Sequence, residues 1–442
     1  MVCGIGYAWT SPSIPKLNGN VDPQNNPLSR PTTILEDSWI TALQNLGAAF
    51  SPLFIGIAAN KYGRKKTLIV FSLPMMVSNI ILIFANSVSH FYVARFLVGI
   101  GTGCVFSVVP LYVAEISQVT NRGFTSMFLG LMITSQQLFV YVIGPYTTIS
   151  TLAKISLIPS VLFLLTFGFF IPESPYYFVM IGNQVEAEKS LAKLRQKSKS
   201  DVLKELTDII KSVEQSKTEK SSLKDLIKSK VVTKCLLTAV GLMFFQQFTG
   251  ILAIVPYLQT IFDATNSSIP ADVSVMMVGL VQFITTAITS RIVDKVDRKI
   301  LLIASNSGIL FSLICLGTYF YLQTNQFNVD AIFWLPIASI ILYIICFNFG
   351  IGPIPWTIVG EIFPPNLKTH LNGIVTFLNI IFGFLIAMFF PTLSLVLGMA
   401  LSIWIFAAFT AVSILFIVYF LPETRGRSFL EIQIMFRDGR SK

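Results

Sequence analysis

Apolar residues gather into eleven long runs along this chain, near 38–59, 67–85, 91–112, 124–144, 152–171, 235–262, 273–293, 300–322, 331–353, 371–391 and 397–421. Each is close to the roughly 20 residues that carry an α-helix across about 30 Å of hydrocarbon. Short polar links, often basic, part them. A twelfth stretch, Met1 to Ile14, is apolar but too short to span and lacks the charged start of a signal peptide. It reads as the outer part of a first helix whose inner part is missing from this sequence. The pattern predicts an all-α membrane protein of twelve helices.

Composition agrees with lipid as the solvent. Of 442 residues 53% are hydrophobic and 12% charged, with mean hydropathy +0.71, whereas soluble domains carry about 25% charge. The formal net charge of +10 does not point to nucleic acid, because the basic residues lie between apolar runs and at the end of the chain. That placement sets membrane orientation. Lys61, Arg64, Lys65 and Lys66 follow the second run, many Lys fill 176–230, and the tail holds Arg425, Arg427, Arg437, Arg440 and Lys442. The link from Asp263 to Asp272 has no Lys or Arg. These links and the C-terminus are therefore expected in the cytosol, and Asn266-Ser267-Ser268 outside, where a glycan could be attached. Cys3, Cys104, Cys235, Cys315 and Cys346 lie in or beside apolar runs without metal-ligand spacing, and His90 and His370 stand far apart. No metal or cofactor is expected.

The landscape repeats. Asn60-Lys61-Tyr62-Gly63-Arg64-Lys65 returns as Asp294-Lys295-Val296-Asp297-Arg298-Lys299, and Pro172-Glu173-Ser174-Pro175 as Pro422-Glu423-Thr424-Arg425. Both pairs mark the junction of an apolar run with a basic segment. Two similar six-span halves can hold one site at mid-membrane and rock around it, which suggests a transporter. The divisions expected are an N-terminal bundle at 1–171, a link at 172–230, a C-terminal bundle at 231–421 and a tail at 422–442. Within the link, 186–195 and 202–210 have apolar residues three and four apart and predict short amphipathic helices. Ser212 to Ser222 is polar and reads as flexible.

Further motifs sit at matching places: Gly56-x3-Asn60, Arg95-x3-Gly99-Ile100-Gly101-x-Gly103, Glu115 with Arg122-Gly123, Gln246-Gln247-x-Thr249-Gly250, Gly352-Pro353-Ile354-Pro355-Trp356 with Glu361, and Pro422-Glu423-Thr424-x-Gly426-Arg427. With these, the chain resembles the sugar porters of the major facilitator superfamily over nearly its whole length, and within them the facilitated trehalose transporter-like branch. The resemblance implies two six-helix bundles with cytosolic helices in the central link. It also implies cytosolic charge clusters that latch the inner side, here Arg64, Glu115 and Arg122 in one half and Asp294, Arg298, Glu361 and Lys368 in the other. Solvation of exposed charge is the plainer reading of the same residues. Asn60 replaces the family's acid in the first copy, Asp297 replaces a Gly in the second, and Lys368 replaces an Arg and with it planar bidentate pairing. A weaker latch is expected. Gly99, Gly101 and Gly103 suit close helix packing, since no Lys-Ser/Thr follows as a phosphate loop requires.

A sugar is neutral, with hydroxyls around apolar ring faces, and is met by amides and an aromatic plate. The resemblance implies that Gln246, Gln247, Gln282, Trp356 and Asn379 face a central cavity and bind it; interhelical amide bonds and a packed Trp are the alternative. Gly350, Gly352, Pro353 and Pro355 break the tenth run and make it a candidate gate. Leu252 stands where the family places a sugar-binding Asn, Pro256 where a Tyr is common, and Gly130 where a Gln is usual, with Gln136 and Gln137 further on. At roughly 1 kcal/mol per neutral hydrogen bond, two lost partners cost about tenfold to a hundredfold in affinity. Ala8 stands where proton-coupled relatives carry an Asp, which leaves Arg95 without an evident acid. No nucleotide signature or catalytic constellation is present, so the chain is not expected to be an enzyme. The expectation is a plasma-membrane sugar uniporter; a proton–sugar symporter and a transport-inactive relative or sensor remain open.

Overall fold

The computed structural model describes residues 3–19, 26–117, 122–218, 230–265, 269–292, 296–363 and 368–425, with positions 427, 431 and 435. Among the described residues nine helices are long and apolar enough to cross a membrane, and the bent pair Ile34–Pro52 and Phe54–Tyr62 forms one more. The longest, Lys368–Phe420, carries a break at Gly398 (φ +82°) and so accounts for two crossings. Cys3–Leu17 is a further helix, 15 residues long and buried almost throughout. The twelve elements match the apolar runs in order.

Local signals explain their ends. The second span starts at Ile34, where Thr33 and Glu36 close a capping box that satisfies orphan N–H groups at both residues. In the seventh span the helix Lys230–Phe248 gives way at Gly250 (φ +90°) to short segments that end at Asp263. The tenth span is two helices, Leu335–Phe349 and Ile354–Ile362, separated at Gly350–Gly352. Pro353 and Pro355 have no N–H to give to the carbonyls four residues back, so the break falls where the sequence predicts it.

The second, third and fourth spans pack on one another, and the third also on the sixth. The ninth packs on the tenth and on Lys368–Phe420, which also meets the seventh. Among the described residues the main contacts between the two halves of the chain join the second span with Lys368–Phe420, the fifth with the eighth, and the first with the last segments of the seventh, Val255–Asp263. Trp39 meets Phe384 across the first of these, ring centroids 6.3 Å apart. The glycines of the fourth span allow close approach as expected. A Cβ on Gly99 would lie 2.2 Å from the Gln44 carbonyl oxygen, and one on Gly103 2.5 Å from that of Ala48.

The link helices are Gln184–Arg195 and Lys199–Thr218. Ala187 and Leu191 of the first bury against Val202, Leu206, Ile209 and Val213 of the second. Because Val213 extends that apolar stripe, the helix continues to Thr218. The expectation of a flexible segment from Ser212 is corrected that far; 219–229 lie outside the described residues. Arg195 ties the pair to the fourth span, bonding Glu205 at 2.6 Å and donating to the Ile116 carbonyl at 2.8 Å.

Candidate functional site: charge clusters and a buried amide group

The repeated basic segments build the same object twice. Arg64 opens the third span and pairs with Glu115 at the end of the fourth, Nη2 to Oε1 2.8 Å. Arg298 opens the ninth and pairs with Glu361 at the end of the tenth, 2.6 Å. A second carboxylate caps each following helix. Glu173 accepts from the Arg64 and Lys65 N–H groups at 2.9 and 3.0 Å. Glu423 accepts from those of Arg298 and Lys299 at 3.2 and 3.0 Å. An anion at a helix N-terminus meets orphan N–H groups and the positive end of the dipole. Ser174 and Thr424 hydroxyls then donate to Glu115 and Glu361. Lys65 and Lys299 reach the carbonyls of Gly168 and Val418. Sequence reasoning found the arginines and their acids but not Glu173, Glu423, Ser174 or Thr424, although the repeated Pro-Glu-Ser/Thr was visible.

Each cluster joins spans of its own half. The two are not equal. The side chains of Arg64 and Glu115 are 3% and 10% exposed, those of Arg298 and Glu361 11% and 30%. Asp294 and the side chains of Arg122 and Lys368 lie outside the described residues, as does the glycan candidate Asn266. Gly63 has φ +100°, and a Cβ there would fall 2.2 Å from Glu173 Oε2. That backbone region is open essentially to glycine alone. Asp297, its counterpart, has φ −62° and needs no glycine; it bonds Arg425 at 3.1 Å. Gly63→Ala is therefore expected to destabilise the protein by about 1–3 kcal/mol through strain and to displace the Glu173 cap, read as a lower melting temperature. Asp297→Gly should change it little.

Midway along the seventh and eleventh spans the structure brings three of the five expected sugar contacts together. Gln247 Nε2 donates to Asn379 Oδ1 at 3.1 Å, and Asn379 Nδ2 donates to Gln246 Oε1 at 2.9 Å. Gln246 Nε2 donates to the carbonyls of Ile351 and Gly352 at 2.8 and 2.7 Å. Gln282 is buried nearby in sequence to Thr285, whose hydroxyl, with the Gln282 carbonyl, accepts from Asn348 Nδ2. Asn348 was not foreseen. Trp356 sits in the first turn after the break and is 42% exposed. Among the described residues no hydrogen bond joins Trp356 or Gln282 directly to the other three.

Buried oxygens of Gln247, Gln282 and Gln137 have no hydrogen-bond partner among the described residues, nor has either end of the Gln44 amide. Such groups are costly in an apolar surround. Leu252 lies beside this group: a Cβ on Gly383 would be 2.5 Å from Leu252 Cδ1 and 3.3 Å from Gln247 Oε1. Gly130 faces Thr286 of the eighth span. Gln136 is engaged, accepting from the Gly4 N–H at 3.0 Å. A cavity of about 380 Å³ between the third, fourth, fifth and sixth spans is lined by apolar groups such as Leu68, Phe71, Met132 and Phe163, and none of these amides lines it.

Arg95 is buried without an ion pair among the described residues. It donates to the carbonyls of Ile40 and Gly6 at 3.0 and 2.9 Å and lies 5.2 Å from the Trp9 ring centroid. Carbonyls and a π-face thus hold its charge.

The family described as Sugar (and other) transporter matches residues 16–436. The chain belongs to that family. Among relatives of this sugar transporter chain, the facilitated trehalose transporter Tret1 of Polypedilum vanderplanki is 34% identical, covering 98% of this chain and 85% of that protein. The Tret1 of Culex quinquefasciatus is 33% identical over 98% and 83%. The inward-open xylose transporter XylE from E. coli has a similar fold, with TM-score 0.81 and 23% identity over 98% of this chain and 96% of that one. The sugar transporter chain thus has the twelve-helix major facilitator fold of two six-helix bundles in a multi-pass membrane protein.

Proposed function

We propose that the chain carries a sugar, trehalose or a hexose, across the plasma membrane by facilitated diffusion. The carrying observation is the buried group Gln246, Gln247 and Asn379, joined by hydrogen bonds and with a Gln247 oxygen that has no partner among the described residues. Hydroxyls supply the donors and acceptors such amides lack, and Trp356 supplies a face for the ring. Gln282 belongs to the same wall. The relatives named as trehalose transporters support this substrate class.

Transport proceeds by alternating access, with 1–171 and 231–421 as the rocking halves and 172–230 as the link between them. The basic face carrying both charge clusters lies in the cytosol with the C-terminus, supported by the Lys and Arg distribution. The clusters brace the inner ends of the third, fourth and sixth spans and of their counterparts, so each half moves as a body. The lipid bilayer is the one partner this scheme requires besides the sugar. No bond is made or broken, so the chain is not an enzyme.

Uniport rather than proton symport is supported by Ala8 and by the Arg95 environment, where carbonyls occupy the guanidinium and no carboxylate bonds it among the described residues. The test is uptake of labelled trehalose and glucose by cells expressing the full chain. Saturable uptake is expected, changed less than twofold by a proton uncoupler. Loss of uptake with the uncoupler would favour symport; no saturable uptake of either sugar would favour the transport-inactive reading.

A further inference from the structure

The first span is a short helix. Its 15 residues, Cys3–Leu17, rise about 22 Å, against about 30 Å of hydrocarbon. Leu17 leads toward the start of the second span, its carbonyl accepting from the Thr32 N–H at 3.1 Å, so Cys3 is the end that points toward the charge clusters. It stops near the middle of the bundle. Cys3 packs on Met75 and Val98, close to the midpoints of the third and fourth spans. The Gly4 N–H is held by Gln136 Oε1 of the fifth at 3.0 Å. A side-chain oxygen thus stands in for the carbonyl that a preceding helical turn would supply.

Below Cys3 lies the cavity of about 380 Å³. Four spans lend it the parts nearest the charge clusters, within 68–75, 101–116, 128–132 and 160–171. Its hydroxyls are spent: Ser72, Ser160 and Tyr112 donate to the carbonyls of Ile69, Ser156 and Pro172. No hydroxyl donor is left for water, and an apolar void of even about 150 Å³ stays dry and takes up apolar molecules. Left empty, it forfeits dispersion contacts along its whole lining. The third span packs on the fourth and the sixth, but among the described residues neither the first nor the fifth packs appreciably on the sixth. The cavity is thereby open sideways between the fifth and sixth spans, where Phe128 is 46% exposed.

We propose that this cavity is a lipid site: one acyl chain of a phospholipid, drawn from the leaflet at the charged end, enters between the fifth and sixth spans and fills the space below Cys3. An acyl chain needs no hydrogen bond, and it bends to follow an irregular apolar wall. Its head stays in the surface layer of the membrane, in keeping with a lining that holds no charged side chain. A protein helix fits less well, because Gln136 already holds the N–H that would join it to the first span. The lipid serves as the other half of that span, and the site is independent of the sugar reading.

Photolabelling of the full chain in phosphatidylcholine nanodiscs tests this, with a phosphatidylcholine carrying a diazirine at the end of one acyl chain as probe. Labelling of Met75, Cys104 and Met132, which line the cavity, is expected to saturate at low probe fraction. Labelling of Phe169 and Phe170, 78% and 70% exposed, should rise linearly, as for any lipid-facing residue. Val113→Phe, which fills the cavity, should lower labelling of the first three at least fivefold and leave Phe169 and Phe170 as in the native chain. Ser72→Leu, a smaller insult to folding, should lower it at least twofold. No label on those three, or label that neither variant lowers, overturns the site. By native mass spectrometry the chain purified in detergent should retain one phospholipid and Val113→Phe none; a free fatty acid as the sole retained lipid overturns the phospholipid. Hydroxyl-radical footprinting should leave Met75 and Met132 unmodified. Their modification at the rate of an exposed methionine would make the cavity wet and overturn the proposal.

Discussion

Arg64→Ala is expected to destabilise the protein by about 3–5 kcal/mol, because it strands a buried carboxylate. Glu115 is 10% exposed and loses the two-nitrogen grip of the guanidinium. The Ala59 carbonyl loses its side-chain donor as well. The Ser174 hydroxyl remains, but a neutral donor does not balance the charge. Arg298→Ala should cost less, since Glu361 is 30% exposed and water can solvate it. The same logic makes the loss reversible: adding Glu115→Gln to Arg64→Ala removes the stranded charge and should recover more than half of the stability. Melting temperatures of the purified variants in one detergent check all three. Equal melting of Arg64→Ala and the native protein would mean that the pair is a solvated surface feature.

The two clusters also show why part of this molecule was legible in its sequence. Lipid makes a span self-announcing, because every backbone group must be satisfied within the helix and every outward side chain must be apolar. Arg64, Glu115, Arg298 and Glu361 stand out as charges at the ends of such runs. The start of the second span was also written in the chain, in the spacing of Thr33 and Glu36, although the hydrophobic run alone places it four residues later. Glu173 and Glu423 were harder, since their partners are backbone N–H groups over a hundred residues away. Asp294, Arg122 and Lys368 retain only their sequence reading.

At the site, the same distinction holds. Amides in apolar runs are visible at once, so Gln246, Gln247 and Asn379 stood out, and the structure joins them by interhelical amide bonds. The engagement of Gln246 with Ile351 and Gly352 was not visible, because carbonyls carry no sequence signature until a proline frees them. Gln44 was missed for a related reason: it lies outside any motif, and only its burial against Gly6, where a Cβ would come within 2.9 Å of Nε2, marks it as a polar group held in the bundle.

Trp356→Ala and Gln247→Leu should each raise the KM for uptake severalfold or more while the protein still reaches the cell surface. Trp356 is the half-exposed indole of the broken helix, free to lie under a sugar ring, and its removal takes away a large aromatic plate beside the break. Gln247 holds the open oxygen, and Leu there leaves a sugar hydroxyl desolvated and Asn379 Oδ1 without its donor. An unsatisfied buried polar group costs about 1–3 kcal/mol, which is roughly fivefold to 150-fold in KM. Leu252 already puts methyl groups beside this oxygen, so little binding energy stands in reserve. Leu252→Asn should act in the opposite direction, lowering KM by supplying a second amide next to Gln247. Tracer uptake against surface-biotinylated protein separates binding from expression. Native KM in both loss variants would move the sugar site away from these amides, whereas a lower KM in Leu252→Asn alone would place it beside them.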